Sequence, residues 1–121
     1  MITEMVTLAP SQSVGATKRG NRNIIPITGG EISGRITGKV LFGGADYQSR
    51  PDAPAIDARY LWQTNDGEII IVRNTGSGSL VPTFEVRTDS PYAWLNTGYF
   101  LSSAPGIRPG GVGITIYESN R

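Results

Sequence analysis

The sequence contains no cysteine and no histidine. Those absences exclude disulfides, Cys or Ser-His nucleophiles, Cys-rich zinc sites and imidazole acid–base catalysis. Lysine is scarce as well: only Lys18 and Lys39 stand beside nine arginines. Eleven basic residues against ten acidic ones leave a net charge of +1, far from the excess of a nucleic-acid binder. Basic residues interleaved with aromatics are too sparse for base stacking. No apolar run approaches the ~20 residues of a membrane helix. Met1-Ile2-Thr3-Glu4 lacks the basic and apolar regions of a signal peptide. The expectation is a cytoplasmic protein with neither a nucleic-acid nor a membrane partner.

What remains is one domain, 1–121, with a modest core. Gly and Pro supply 24 of the 121 residues, which favours turns over long helices. No segment has the period of an amphipathic helix. Apolar residues fall in short runs broken by Gly, Pro, Asn and Asp, which is a strand-and-turn pattern. It predicts strands over Met5–Leu8, Asn23–Ile27, Arg35–Phe42, Ala55–Thr64, Glu68–Asn74, Thr83–Thr88, Ala93–Leu101 and Gly113–Glu118, with a short one at Ser13–Thr17. Eight to ten short strands with little or no helix suggest an all-β, antiparallel sandwich or barrel. The two Gly-rich segments, Thr28-Gly29-Gly30 and Phe42-Gly43-Gly44-Ala45-Asp46, lack the context of a phosphate loop or dinucleotide fingerprint. They read as bends or bulges at barrel corners. The alternative is a close backbone approach to a ligand near Asp46.

The clearest local signal is Asn65-Asp66-Gly67-Glu68. Asp-Gly suits a two-residue type I′ hairpin loop, since both central residues need positive φ. That loop would pair Trp62 with Ile71, Tyr60 with Arg73 and Arg59 with Asn74. It would put Asp57, Arg59 and Asn74 on one face. Each face would then mix apolar residues near the turn with polar ones far from it. Such faces fit a barrel with a polar patch at its mouth better than a sandwich.

Without His or Cys, acid–base work falls to Asp, Glu, Tyr, Lys or an Arg-tuned partner. Asp57 and Arg59, two apart on one strand face, would ion-pair. The pair is either structural or a base held ionised by Arg. Asp46 is either a turn cap or a ligand-facing carboxylate. Tyr60 beside Arg73 would pack as a cross-strand cation–π pair or donate to a developing enolate oxygen. Glu68 reads as solvated beside its turn, and Glu85 as outward-facing. Tyr92, Trp94 and Asn96 would share a strand face, either as a ligand wall or as core. No carboxylate cluster has metal-ligand spacing, and no cofactor motif is present.

Several ordered segments also resemble a known family: Asn23-Ile24-Ile25-Pro26-Ile27-Thr28-Gly29-Gly30, Gly43-Gly44-Ala45-Asp46-Tyr47-Gln48, Asp57-Ala58-Arg59-Tyr60, Thr64-Asn65-Asp66-Gly67, Val72-Arg73-Asn74 and Tyr92-Ala93-Trp94-Leu95-Asn96. Together they are similar to the domain of unknown function 3237 family. The resemblance implies a compact antiparallel β-barrel and leans towards small organic ligands. It implies pocket positions at Asp46, Gln48, Asp57, Arg59, Tyr60, Arg73, Asn74, Trp94 and Asn96. The segment between Asn74 and Pro91 is shorter than in family members, which would leave one barrel end more open.

The leading expectation is a cofactor-independent isomerase, cyclase or lyase of catabolic or secondary metabolism. Asp46 or Asp57 would be its base, and Tyr60, Arg73, Arg59 and Asn74 would hold an oxyanion. Gln48, Trp94 and Asn96 would contact the ligand. The alternatives are a non-catalytic barrel binding a small aromatic or apolar molecule, and an oligomeric assembly module. A homo-oligomer is compatible with all three.

Overall fold

The computed structural model describes residues 1–52 and 54–119. Eleven strands follow in chain order: β1 (Ile2–Leu8), β2 (Gln12–Thr17), β3 (Gly20–Gly34), β4 (Gly38–Val40), β5 (Ala45–Arg50), β6 (Ile56–Thr64), β7 (Ile69–Gly76), β8 (Val81–Glu85), β9 (Phe100–Ser102), β10 (Gly106–Arg108) and β11 (Gly111–Glu118). A single 3-10 turn, Ala93–Asn96, lies between β8 and β9. Among the described residues, no helix is long and apolar enough to cross a membrane.

The strands close into an antiparallel barrel. Hydrogen-bonded neighbours run β10-β11-β1-β3-β4-β6-β7-β8, and β5 pairs with both β3 and β6. β9 pairs with β11. Leu80, just before β8, bridges to Ser102 at the end of β9, and the Ser102 amide donates to the Leu80 carbonyl at 3.1 Å. That bridge joins the two ends of the path. Closure reduces the unpaired edge that an open sheet of this length would expose, leaving β2 and β10 paired on one side only.

Inside and outside alternate along each strand, as a pleated wall requires. From β1 come Ile2, Glu4 and Val6, all buried, and from β7 come Ile70, Val72 and Asn74. Trp62 is fully buried, and its ring meets Phe84 at 5.2 Å. Phe84 meets Phe100 edge-on at 5.2 Å. Burying each such side chain contributes roughly 1.5–3 kcal/mol.

β3 is long enough to serve two parts of the barrel because it bends at its glycines. The β1–β3 register shifts between Thr7 and Leu8, opposite Gly29 and Ile27. Gly29 and Gly30 have φ of +154° and +144°. A Cβ on Gly30 would fall 2.0 Å from the Met5 carbonyl oxygen. The bulge changes parity: Ile25 and Ile27 line the interior before it, and Ile32 is buried after it.

Several expectations are corrected. Asn65-Asp66-Gly67 forms a three-residue loop, not a two-residue one. The Thr64 amide donates to the Glu68 carbonyl at 2.9 Å, and the Glu68 amide donates to Thr64 Oγ1 at 2.9 Å. Gly67 alone takes positive φ, +95°, as in a type I turn closed by a bulge. The register moves by one residue: Tyr60 faces Val72, Arg59 faces Arg73, and Ala58 faces Asn74. Ala93–Leu101 is not a strand; it divides into the 3-10 turn and β9. The strand expected over Arg35–Phe42 shrinks to Gly38–Val40. Residues 45–50, read as a bend and its sequel, are strand β5, and Gly106–Arg108 forms a further short strand beyond those expected.

Candidate active site

The register decides which polar side chains meet. On β5, Asp46 lies opposite Ala58 of β6 and Ile25 of β3. Asp46 and Gln48 therefore share the inward face with Ala58 and Tyr60. Across β6, Ala58 pairs with Asn74 of β7. These side chains line one internal cavity of about 120 Å³. Its other walls are mostly aliphatic, among them Val6, Ile27, Leu80 and Ile114. Half-buried Leu8, Ile25, Asp46, Gln48 and Ile56 mark its mouth, whereas Tyr60, Asn74, Leu80 and Ile114 are buried at its floor. A cavity of roughly 150 Å³ lined by aliphatic and aromatic groups holds benzene, so this one suits a small organic molecule.

Asp46 is the carboxylate at the mouth. Its Oδ1 accepts the Asp57 backbone N–H at 3.0 Å, and its Oδ2 accepts Gln48 Nε2 at 3.1 Å. Gln48 Oε1 in turn faces Asn23 Nδ2 at 3.4 Å. Burial pushes the Asp46 carboxyl above its ordinary value, although both hydrogen bonds work the other way. Asp46 is thus a strand residue and a recipient of a backbone N–H at once; of the two expected roles, turn cap and ligand-facing carboxylate, the turn cap does not hold.

Asn74 is 2% exposed. Its Nδ2 donates to Ser102 Oγ at 3.1 Å, and the Ser102 hydroxyl spends its one proton on the Ser103 carbonyl at 2.8 Å. That order fixes the amide: Asn74 must donate to Ser102, which leaves Oδ1 as the other end. No donor among the described residues reaches that buried Oδ1. An unmet buried acceptor is costly; Oδ1 is itself closed to solvent, so a ligand hydroxyl or N–H would meet it once the Asn74 side chain turned towards the cavity that the residue lines.

Tyr60 crosses the interior from β6 to β1. Its hydroxyl donates to Glu4, with the two carboxylate oxygens 2.8 and 2.7 Å away. Trp62 Nε1 donates to the same carboxylate at 3.2 Å. Glu4 is fully buried, and burial raises its pKa to about 7 despite those hydrogen bonds. Burial and the Glu4 charge together push the Tyr60 phenol well above its ordinary value. Sequence reasoning missed Glu4. The alternation Ile2-Glu4-Val6, which places an acid between two inward apolar residues, is the signal that identifies it.

The other expected residues lie elsewhere. Asp57, Arg59 and Arg73 point out of the barrel. The expected Asp57–Arg59 pair exists, with Arg59 Nη2 3.1 Å from Asp57 Oδ2, and Arg73 Nε lies 3.1 Å from Oδ1. Burial alone would raise the Asp57 carboxyl, but the hydrogen bonds from the two guanidiniums hold it below the usual range. These three residues line an outer groove of about 430 Å³ with Arg19, Arg22 and Tyr47. The shared face expected for Asp57, Arg59 and Asn74 does not exist, because Asn74 is inside. Nor does Tyr60 pack on Arg73.

Trp94 and Asn96 belong to the 3-10 turn and are absent from the cavity wall. The Arg35 guanidinium lies 3.7 Å over the Trp94 ring, and Trp94 packs at 6.1 Å from Phe100. Asn96 clips the loop after β8: its Oδ1 accepts the Val86 amide at 2.9 Å and its Nδ2 donates to the Val86 carbonyl at 3.0 Å. Tyr92 donates to Asp66 Oδ1 at 2.9 Å. Glu68 is half-buried, not solvated, and both its oxygens accept from Arg87. Glu85 is exposed, as expected.

Known proteins share this chain's sequence pattern and its barrel. The family model described as "Protein of unknown function (DUF3237)" matches residues 1–80. The UPF0311 protein blr7842 of Bradyrhizobium diazoefficiens is 48% identical over 117 aligned positions, covering 76% of each chain. A β-barrel-like protein of Acinetobacter baumannii superposes with a TM-score of 0.84 at 30% identity, covering 98% of this chain and 92% of its own. An enzyme from Penicillium herquei superposes with a TM-score of 0.79 at 21% identity, covering 98% and 90%.

Proposed function

We propose that this chain, which belongs to the DUF3237 family of proteins of unknown function, is a small-molecule enzyme that moves a proton beside a carbonyl group without a cofactor. The reaction class is isomerase, cyclase or lyase. One observation carries the reading: a carboxylate of raised pKa, Asp46, stands at the mouth of a mostly aliphatic internal cavity. A base whose pKa is lifted towards neutrality matches its task better than an ordinary carboxylate. The Penicillium herquei enzyme supports the reading only in that the fold can house an enzyme.

In this scheme Asp46 takes a proton from a carbon next to the carbonyl. The C–H electron pair becomes the enolate double bond, and the carbonyl π pair moves onto oxygen. The second N–H of the Gln48 amide is an inward donor for that oxygen, and Tyr60 becomes one when its proton is not committed to Glu4. Returning the proton at another carbon completes an isomerisation. Asn74 Oδ1 accepts from a ligand hydroxyl. Arg59 and Arg73, on the outer wall, take no part.

The test is α-hydrogen exchange of cyclohexanone in D2O, followed by proton NMR. Wild-type protein and Asp57→Asn should accelerate it alike. Asp46→Asn should lose ~10²–10⁴-fold of the acceleration, the usual contribution of a general base. Equal rates for wild type and Asp46→Asn would remove Asp46 as the base. Binding without any exchange would favour the alternative of a ligand-binding barrel, which the aliphatic walls also suit.

A further inference from the structure

The scheme above leaves Glu4 without a task, yet Glu4 is a fully buried carboxyl group in the barrel interior. No cation pairs with it among the described residues. Its strand neighbours are aliphatic: Ile32 on β3 and Ile114 on β11 stand directly opposite. Across the interior, β6 presents Tyr60 and Trp62. Tyr60 is its one titratable contact. Asp46, the next acid, acts on Tyr60 and not on Glu4.

The proton count at this contact has two solutions. One phenol oxygen sits 2.8 and 2.7 Å from the two carboxylate oxygens. When Glu4 is ionised, the phenol proton is committed to it. When Glu4 is protonated, its own proton can go to the phenol oxygen, and Trp62 Nε1 still donates to Oε1. The phenol proton is then released from a charged acceptor, faces only the weaker neutral carboxyl oxygen, and can turn to another acceptor. The neighbouring space is the cavity that Tyr60 lines. Val6, two residues along the same face of β1, and Ile114, opposite Glu4, line it too.

We propose that Glu4 is a positioning residue that decides whether Tyr60 donates a hydrogen bond into the cavity, so that a carbonyl ligand is held through Tyr60 only while Glu4 carries a proton. The identity of the ligand as a carbonyl compound rests on the proposed function. The coupling of Glu4 to Tyr60 does not.

The coupling is testable without any ligand. Protein labelled with carbon-13 at the Tyr Cζ and Glu Cδ positions is titrated by NMR from pH 5 to 9, with Tyr60→Phe assigning the Tyr60 signal. The Tyr60 Cζ signal should move in one step together with the Glu4 Cδ signal, with a common midpoint near the value of about 7 for Glu4. Glu4→Gln holds the neutral arrangement permanently, so the Tyr60 signal should stay at its low-pH position throughout. In Tyr60→Phe the Glu4 midpoint should rise, because a hydrogen bond favouring the carboxylate is gone. This second variant keeps the test decisive should Glu4→Gln fail to fold. A Tyr60 signal that is flat in wild type, or that still titrates in Glu4→Gln, would overturn the proposal. So would an unchanged Glu4 midpoint in Tyr60→Phe. A coupled titration in a protein that exchanges no ketone would retain the switch and remove the enzyme reading.

Discussion

Arg59 lies directly opposite Arg73 in the β6–β7 ladder, and both reach the carboxylate of Asp57 two residues from Arg59. Like charges across an antiparallel pair repel, so Asp57 works as the counter-charge that lets this outer face form. Its folded pKa is lowered. Its stabilisation is therefore present above the unfolded carboxylate value and lost as pH falls through the folded one. Asp57→Asn should lower the urea midpoint at pH 7 by a small, surface-scale amount. It should also soften the acid side of the stability curve, while leaving cavity chemistry alone. Urea titrations from pH 3 to 7 check this.

Glu4 predicts the opposite slope. Its folded pKa of about 7 lies above the ordinary value of 4.5, so the folded state binds more protons between them. Stability contributed by the neutral acid is complete below the unfolded value and is lost as pH rises through about 7. The full swing is on the order of 3 kcal/mol. Between pH 5 and 8 wild type should lose stability relative to Glu4→Gln. Parallel urea midpoints for the two proteins over that range would contradict it.

Gly30 is a backbone requirement and not a ligand loop. Gly30→Ala must place a Cβ 2.0 Å from the Met5 carbonyl, with φ at +144°. A loss of about 2 kcal/mol or more is expected. Gly67→Ala, strained in φ but with nothing within 4 Å of the added Cβ, should lose only about 1 kcal/mol. Thermal unfolding of both variants gives the comparison.

Asn74 should separate stability from function. Asn74→Leu removes the bond to Ser102 but also the buried, unpartnered Oδ1. The two effects oppose each other, so stability should stay within about 1 kcal/mol of wild type. Binding of a hydroxyl-bearing ligand should fall about tenfold, since one hydrogen bond is worth ~1.4 kcal/mol at that ratio, while exchange of cyclohexanone, which has no donor for Oδ1, should change little. A large loss of stability with normal binding would show that Asn74 is structural.

The barrel was legible because Gly, Pro and alternating apolar residues mark strands directly. The hairpin register was not. Asp66-Gly67 suits a two-residue loop, but Thr64 Oγ1 captures the Glu68 amide and lengthens the loop by one residue. With a side-chain period of two, that single residue exchanges the faces. It sends Asn74 inward and leaves Arg59 and Arg73 outside. Tyr92-Ala93-Trp94 has the composition of a strand, yet the Ser90 hydroxyl captures the Tyr92 amide and the chain turns. β5 was hidden because Gly43 and Gly44 suggest a bend that ends where Ala45 begins pairing. Asp46 and Gln48 were legible as candidates from their residue types. Their company, Tyr60 and Asn74, emerges only from the ladders on either side of β6.

Ligands are expected to enter the barrel interior and not the arginine-lined groove. Backbone amide NMR during titration with cyclohexanone tests it most directly. The largest shifts are expected at Asp46, Ala58, Tyr60, Asn74 and Ile114, all of which line the cavity. Shifts centred on Arg22, Tyr47, Arg59 and Arg73, with the interior unmoved, would contradict it.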